Sequence, residues 1–325
     1  MKEYYLGFDI GGTKCAVVLG VYSDDVMTIL DKKLFPTETE NGWEYSVNNI
    51  FSSAFDLLGK NSLGKEDIKA IGISCGGPLD SKKGVIMSPP NLPGWDNVPI
   101  TEMCEEKFGV RTYLQNDANA CAVAEWKFGA AKGTENAVFL TFGTGMGAGL
   151  ILGGRLYEGT NGMAGEIGHI RMENNGPVGY GKEGSFEGFC SGGGIAQTAK
   201  TMVLEALQKG EKPSFCESID NLDSVTAKTV AEAAKNGDEL AIKIYEKCGK
   251  YLGRGLSVLI DILNPEVIVI GSIYERSNEL LQKTMQKAIE HEALGVSASV
   301  CRVVPAVLGD SIGDYAALAV AVDKQ

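Results

Sequence analysis

"NAVFLTFGTGMGAGLILGGRLY", Asn136–Tyr157, is the stretch on which the reading of the fold turns. It is apolar and β-rich at both ends, and the glycines Gly143, Gly145, Gly147 and Gly149 between them permit a tight reversal, so it reads as strand, glycine turn, strand. The opening of the chain repeats the unit in kind: "YYLGFDIG" (Tyr4–Gly11) and "CAVVLGVY" (Cys15–Tyr22) flank a turn at Gly11–Gly12. A strand, turn, strand unit in both halves is a weak internal duplication, and it predicts two related α/β lobes facing each other across a cleft.

Between these units, "YSVNNIFSSAFDLLGK" (Tyr45–Lys60) spaces its apolar residues as a helix does, and "IKAIGISCGG" (Ile68–Gly77) reads as a buried strand. "MSPPNLPGWDNVP" (Met87–Pro99) holds too much proline for regular structure, "TEMCEEKFG" is a short helix, "VRTYLQND" a strand, and "ANACAVAEWKFG" a helix closed by Gly129. Further on, Thr226–Pro265 is strongly helical, "EVIVIGS" is a buried strand and "DSIGDYAALAVAVDK" a final helix. No linker stands out, so a boundary near residue 118 is soft.

Composition narrows the chemistry. A chain of 325 residues is long for one core and suggests two domains. A net charge of -12 repels phosphate backbones and no basic patch offsets it, which argues against a nucleic-acid partner. The longest apolar runs are strand-length, so no membrane partner is expected, and "MKEYYLGFDI" lacks the pattern of a signal peptide, so a cytoplasmic location is expected. Eight scattered cysteines without a CxxC pair suggest reduced thiols rather than disulfides or a metal site.

Four places carry candidate chemistry. In "DIGGTK", the Gly11–Gly12 backbone, the Thr13 hydroxyl and the Lys14 ammonium suit phosphate oxygens, and Asp9 suits a magnesium ion held through water, although a plain hairpin turn reads equally well. It is not a Walker A loop, because Thr13-Lys14 is reversed and a strand follows. "TFGTGMGAG" fits a dinucleotide fingerprint through Gly143, Gly145 and Ala148 only if a helix follows; a strand follows, so a second phosphate-facing turn at Gly143–Gly145 fits better. Asn116-Asp117 precede a helix, where Asp most often serves as the cap, and where it can also serve as a general base. In "GEIGHI", Glu166 and His169 suit a polyol, since a carboxylate accepts from hydroxyls and imidazole both donates and accepts; Glu187 reads as a third such group or as a solvated loop residue.

These pieces in this order resemble the ROK family of sugar kinases and sugar-responsive repressors over nearly the whole chain. "DIGGTK" and "TFGTGMGAG" resemble its two phosphate loops, "GISCGGPLD" and "PNLPGW" its sugar loops, "NDANA" the segment with its catalytic aspartate, and "GEIGH" its sugar-binding segment. The resemblance implies an actin-like, hexokinase-like α/β fold (a duplicated ribonuclease H-like architecture with an interdomain cleft). Residues 1–118 would form the smaller N-terminal lobe, with a C-terminal helix over about 310–325 packed back on it, and residues 119–309 the larger lobe.

It also implies Asp117 as catalytic base. Gly77, Asn91, Asn116, Glu166, His169 and Glu187 would bind the sugar. Asp9, Gly11, Gly12, Thr13, Lys14, Gly143, Thr144, Gly145 and Gly271 would serve ATP and Mg2+. The partners implied are a small-molecule sugar and ATP, in a homodimer. The implied activity is ATP:hexose phosphotransfer of glucokinase type, with O6 as the expected acceptor and with N-acetylmannosamine, N-acetylglucosamine, fructose and allose left open as alternatives. A non-catalytic sugar sensor is the rival class. The repressor branch carries an N-terminal DNA-binding domain, for which a phosphate loop starting at residue 9 would leave no room.

In the family, "GEIGH" is followed by CxCGxxGCxE, whose cysteines join the histidine around zinc. Here the pattern falls on "VGYGKEGSFE": Val178, Tyr180 and Ser185 stand at the cysteine positions, while Gly181, Gly184 and Glu187 keep theirs. Structural zinc is therefore expected to be absent, with packing of Val178, Tyr180, Phe186 and Phe189 replacing its ordering role. The stretch Gly176–Gly194 is expected to bend around the sugar. Two further departures are Gly76, where glucokinase-like members commonly have proline, and Ser272, where a second glycine is usual.

Overall fold

Three successive antiparallel strands open the chain: β1 (Glu3–Ile10), β2 (Lys14–Ser23) and β3 (Val26–Pro36), the last not anticipated from sequence because charged residues interrupt its apolar pattern. The computed structural model describes residues 2–324, so Met1 and Gln325, the outermost residues of the two expected lobe and helix boundaries, lie outside the described residues. Next come α1 (Trp43–Lys60), β4 (Ile68–Cys75), the short antiparallel pair β5 (Leu79–Asp80) and β6 (Val85–Ile86), α2 (Ile100–Phe108), β7 (Thr112–Asn116) and α3 (Asp117–Phe128). The glycine turn of Asn136–Tyr157 joins β8 (Ala137–Phe142) to β9 (Met146–Ile151).

The remainder is mostly helical. The hairpin β10 (Val178–Gly179) and β11 (Lys182–Glu183) precedes α4 (Phe186–Phe189) and α5 (Gly192–Gln208). The expected helical stretch from Thr226 is two helices, α6 (Ala227–Lys235) and α7 (Glu239–Leu263), because Gly237 takes φ 90° and Asp238 caps a new helix by accepting from Ala241 N. Then follow β12 (Val267–Ile270), α8 (Ile273–Glu292), α9 (Gly295–Ala298), β13 (Arg302–Pro305) and α10 (Ile312–Asp323).

The chain forms two compact units. The first takes the chain up to Gly133, then Gly149–Ala164, then the segment from Val307 onward; the second takes Thr134–Ala148 and Gly165–Ala306. In the first, a mixed sheet of order β3-β2-β1-β4-β7 is covered on both faces, which explains why β2 and β4 read as continuous apolar runs rather than alternating ones. Leu6, Phe8, Ile10, Cys15, Val17 and Leu19 face a core shared with Val47, Ile50 and Phe51 of α1. The opposite face, with Tyr5, Ala16 and Val18, meets Leu318 and Ala321 of α10. That helix approaches so closely that a Cβ on Gly72 would collide with the Ala317 carbonyl oxygen, so small residues on both partners set the contact.

The second unit has a sheet of order β13-β12-β8-β9, in which β12 pairs parallel to both β8 and β13. Its buried strand Val267–Ile270 is fully apolar and ends at Gly271. No helix among the described residues is long and apolar enough to cross a membrane.

Candidate active site

In the first unit, the β1–β2 reversal at Gly11–Thr13 is closed by Gly11 N donating to Lys14 O at 3.1 Å. Its carbonyls are held from outside: Thr37 N donates to Thr13 O at 3.0 Å and Thr37 Oγ1 to Gly11 O at 2.5 Å. Thr13 and Lys14 stand exposed at the top of this turn. Gly12 lacks a side chain for a packing reason, since a Cβ there would strike the carbonyl oxygen of Asn91, a residue distant in sequence that the fold brings close.

The loop Met87–Pro99 contains no helix or strand, yet it is fixed by the buried side chains of Leu92, Trp95 and Val98 and by Ser88 N donating to Trp95 O at 2.9 Å. Gly76 lies against Asn91, where a Cβ would sit 3.5 Å from Nδ2, and Gly77, followed by a cis peptide to Pro78, lies against Asn116 at the same distance from Nδ2. Gly12, Gly76, Gly77, Asn91 and Asn116 are thus neighbours.

Asn116, not Asp117, is the cap of α3: its Oδ1 accepts from Ala118 N at 3.0 Å and Asn119 N at 3.3 Å. Asp117 is the first helical residue, and its Oδ1 accepts only from the adjacent Ala118 N at 2.8 Å among the bonds seen. Its side chain keeps an exposed surface even though surrounding protein raises the carboxyl above its usual range through lost solvation, opposed by the local backbone N–H groups.

Asp9, at the end of β1, is pushed up to about 6, first by burial and then by the carboxylates of Asp314 and Asp117, with Lys32 and Lys14 opposing. Asp314 is a member that sequence reasoning missed. It belongs to α10, is itself paired with Lys32 at 2.7 Å, and no local motif marks it. Asp9, near the exposed turn of Thr13 and Lys14, offers a hard carboxylate oxygen of the kind that suits magnesium.

In the second unit, Gly143–Gly145 closes with Gly143 N donating to Gly145 O at 3.1 Å, and Thr144 stands exposed between them. One oxygen of the partly exposed Glu187 is engaged locally: Oε2 accepts from Met146 N at 2.9 Å and would lie 2.8 Å from a Cβ on Gly145. The same carboxylate-bearing residue packs its Cβ against Gly168 and Gly179, so the glycine turn, "GEIGH" and the glycine-rich stretch meet on it.

Gly165 takes φ 95° and runs against β9, where a Cβ would strike the Ala148 carbonyl oxygen; a side chain is excluded twice over. This orients the exposed Glu166 and His169 that follow it. Gly271, buried at the end of β12, places Ser272 beside Gly143, whose Cβ would lie 3.9 Å from Ser272 Oγ. Ser191 and Gly192 were also missed: Ser191 caps α5 by accepting from Gly194 N at 3.0 Å, and Gly192 N donates to Gly143 O at 2.8 Å. "SGGG" before an apolar helical run was the available signal.

The stretch Gly176–Gly194 is not one bent loop. Tyr180 and Gly181 take φ 43° and 74° and reverse a two-stranded hairpin, after which Ser185 caps α4 by accepting from Gly188 N at 3.0 Å. The expected apolar packing holds for Phe186 and Phe189, at 0% and 3% exposure, and fails for Val178 and Tyr180, at 46% and 83%. Hydrogen bonds do that work instead: Gln197 clamps Val178 with both amide atoms, accepting from its N and donating to its O at 2.9 Å each. Phe189 stacks on Tyr251 at 3.7 Å. Lys182 Nζ donates to the His169 carbonyl at 2.6 Å. These residues do not fit a thiolate zinc site: Val178 offers no ligand atom, Tyr180 points into solvent, and Ser185 Oγ is buried and engaged. No group of three or more His, Cys, Asp or Glu side chains among the described residues is arranged to hold a metal ion.

Comparison with known proteins agrees in extent with this arrangement. The glucokinase of Halalkalibacterium halodurans is 32% identical over 313 residues, covering 96% of this chain and 92% of the relative. A crystal structure of a ROK family glucokinase from Streptomyces griseus in complex with glucose and AMPPNP superposes with a TM-score of 0.73 at 27% identity, covering 98% of this chain and 99% of that one. The DNA-binding transcriptional dual regulator NagC of Escherichia coli is 30% identical over 263 residues, covering 80% of this chain and 61% of the regulator. Such relatives share the actin-like, hexokinase-like fold expected from the sequence. The ROK family profile matches residues 5–324, and the chain therefore belongs to the ROK family.

Proposed function

We propose that this protein is a sugar kinase that transfers the γ-phosphoryl group of ATP to a hexose hydroxyl, O6 of glucose or of a closely related sugar. One observation carries the reading: Asn116 takes the helix cap, so the Asp117 carboxylate is not needed there and, with Oδ1 alone held by Ala118 N, stays exposed next to Asn116, against which Gly77 lies. With an amide filling the cap, the exposed carboxylate is left for the task of a base.

In the first unit, Asn91 and Asn116 offer amide groups to sugar hydroxyls, and the backbone of Gly76–Gly77 leaves room for the ring. Asp117 accepts the hydroxyl proton as that oxygen forms its bond to the γ-phosphorus; the bond to the bridging oxygen breaks and ADP leaves. A carboxyl raised above its usual range is the stronger base for this task. The turn after Gly11 donates the backbone N–H groups of Gly12 and Thr13, the Thr13 hydroxyl and the Lys14 ammonium to phosphate oxygens. Asp9 is the residue that would hold magnesium, and magnesium, when bound, neutralises charge on the phosphate oxygens.

In the second unit, Gly143–Gly145 provides the other phosphate-binding turn, with Gly271 and Ser272 on the adenosine side, and Glu166 and His169 bind sugar hydroxyls. Glu187 serves mainly by fixing the Gly145–Met146 backbone. The relatives named glucokinase favour glucose among the hexoses. The reading includes use as a homodimer in the cytoplasm, and no structural zinc.

A coupled ADP-release assay with MgATP against hexoses and N-acetylhexosamines tests the reading. Asp117→Asn is expected to lower kcat by about 10²–10⁴-fold, the usual worth of a positioned base. Near wild-type turnover in that variant would remove Asp117 from the role. A sugar-responsive regulator is the second reading, favoured by the match to NagC; sugar binding without ADP release on any acceptor would select it.

A further inference from the structure

Glu158 sits between β9 and the segment that leads to Gly165, and none of the motifs above includes it. One oxygen of its carboxylate, Oε1, accepts two bonds, from Ser81 Oγ at 2.7 Å and from Gln115 Nε2 at 2.9 Å. The other, Oε2, faces Lys324 Nζ at 3.6 Å. Three segments far apart in sequence thus converge on one half-buried carboxylate: the turn after the sugar loop, the end of β7 and the end of α10.

Gln115 is the informative partner, being 2% exposed. Its amide can point either way, and a carboxylate can only accept, so Glu158 obliges Nε2 to face it. Oε1 is thereby turned toward the start of α3, where it accepts from Asn116 N at 2.8 Å and from Asn119 Nδ2 at 3.2 Å. Asn116 in turn caps the helix on whose first residue Asp117 stands. An unbroken chain of hydrogen bonds therefore runs from Glu158 through Gln115 to the backbone that aims Asp117, and the same carboxylate oxygen ties down Ser81, close behind Gly77–Pro78.

We propose that Glu158 is a positioning residue that fixes the Gln115 amide, and through it the Asn116–Asp117 backbone, relative to the sugar loop. The catalytic part of this inference rests on the kinase reading. Without Glu158 the buried Gln115 Nε2 loses its acceptor and the amide is held from the Asn116 and Asn119 side alone, and a small misplacement of a base is costly in turnover while leaving nucleotide affinity alone.

Four variants and two readouts test it. Glu158→Ala is expected to lower kcat by about 10–100-fold with the KM for MgATP unchanged. Glu158→Gln, which keeps one oxygen acceptor for Ser81 and Gln115, is expected to restore most of the turnover. Glu158→Ala combined with Gln115→Ala should be little slower than Gln115→Ala alone, because the effect of Glu158 on Asp117 passes through Gln115.

Amide hydrogen exchange on the ligand-free protein should speed up in the peptide spanning residues 115–120 of Glu158→Ala and stay unchanged in β12. Unchanged turnover in Glu158→Ala, multiplying effects in the double variant, or unchanged exchange at 115–120 would each overturn the proposal. Absence of sugar phosphorylation by the unmodified protein would instead defeat the kinase reading, and the exchange measurement would still decide whether Glu158 orders this helix start.

Discussion

Asp9 concentrates the electrostatic tension of the first unit. Its carboxyl is held up to about 6 by burial and by two neighbouring carboxylates, so the folded chain prefers it protonated. The stability tied to that preference is fully present below the ordinary carboxylate range and is lost as pH rises through about 6, where the folded chain must carry the charge. Asp9→Asn is therefore expected to stabilise the ligand-free protein by about 1–3 kcal/mol near pH 8 and to change little near pH 4. Urea denaturation at the two pH values measures this, and an equal effect at both would mean that charge is not the cause. The same substitution should weaken magnesium-dependent turnover, since the repulsion that destabilises the apo state is what a divalent cation relieves.

The turn between β12 and α8 shows a local sequence choice at odds with its backbone. Ser272 holds φ 57° and ψ -107°, a conformation that glycine adopts freely and a side chain does not. It is also the position where the resemblance calls for a second glycine. Ser272→Gly is expected to raise the unfolding free energy by about 1 kcal/mol, the relief of backbone strain outweighing the extra freedom of the unfolded chain. A lower urea midpoint in the variant would show that Ser272 is held by something its hydroxyl does. The β10–β11 hairpin and α4 present the opposite case. Gln197, a residue of the unanticipated helix α5, supplies from a distance the order that sequence reasoning had assigned to Val178 and Tyr180.

For the chain as a whole, the ordering of Gly176–Gly194 by hydrogen bonds and two buried phenylalanines carries a thermal prediction. A chelator should leave the melting temperature unchanged, and protein purified without added zinc should contain far less than one zinc per chain; about one per chain would refute this.

Much of the architecture was legible from sequence because its signals are local. β-rich runs on either side of glycine turns marked β1, β2, β8 and β9, apolar runs marked β4 and β12, and helical patterns marked α1, α3 and α10. β3, α5 and α8 escaped, their patterns being diluted by charged and glycine residues. The order of motifs along the chain was enough for the family. What sequence could not supply was which distant groups touch. Asp314 reaches the vicinity of Asp9 because α10 lies on small residues of the sheet, Gly12 meets Asn91 because a proline-rich loop is anchored by Leu92 and Trp95, and Glu187 bonds Met146 because α4 folds back on the glycine turn. Periodicity reports how a segment relates to its own neighbours in the chain, whereas these contacts depend on which packed faces meet and in what register.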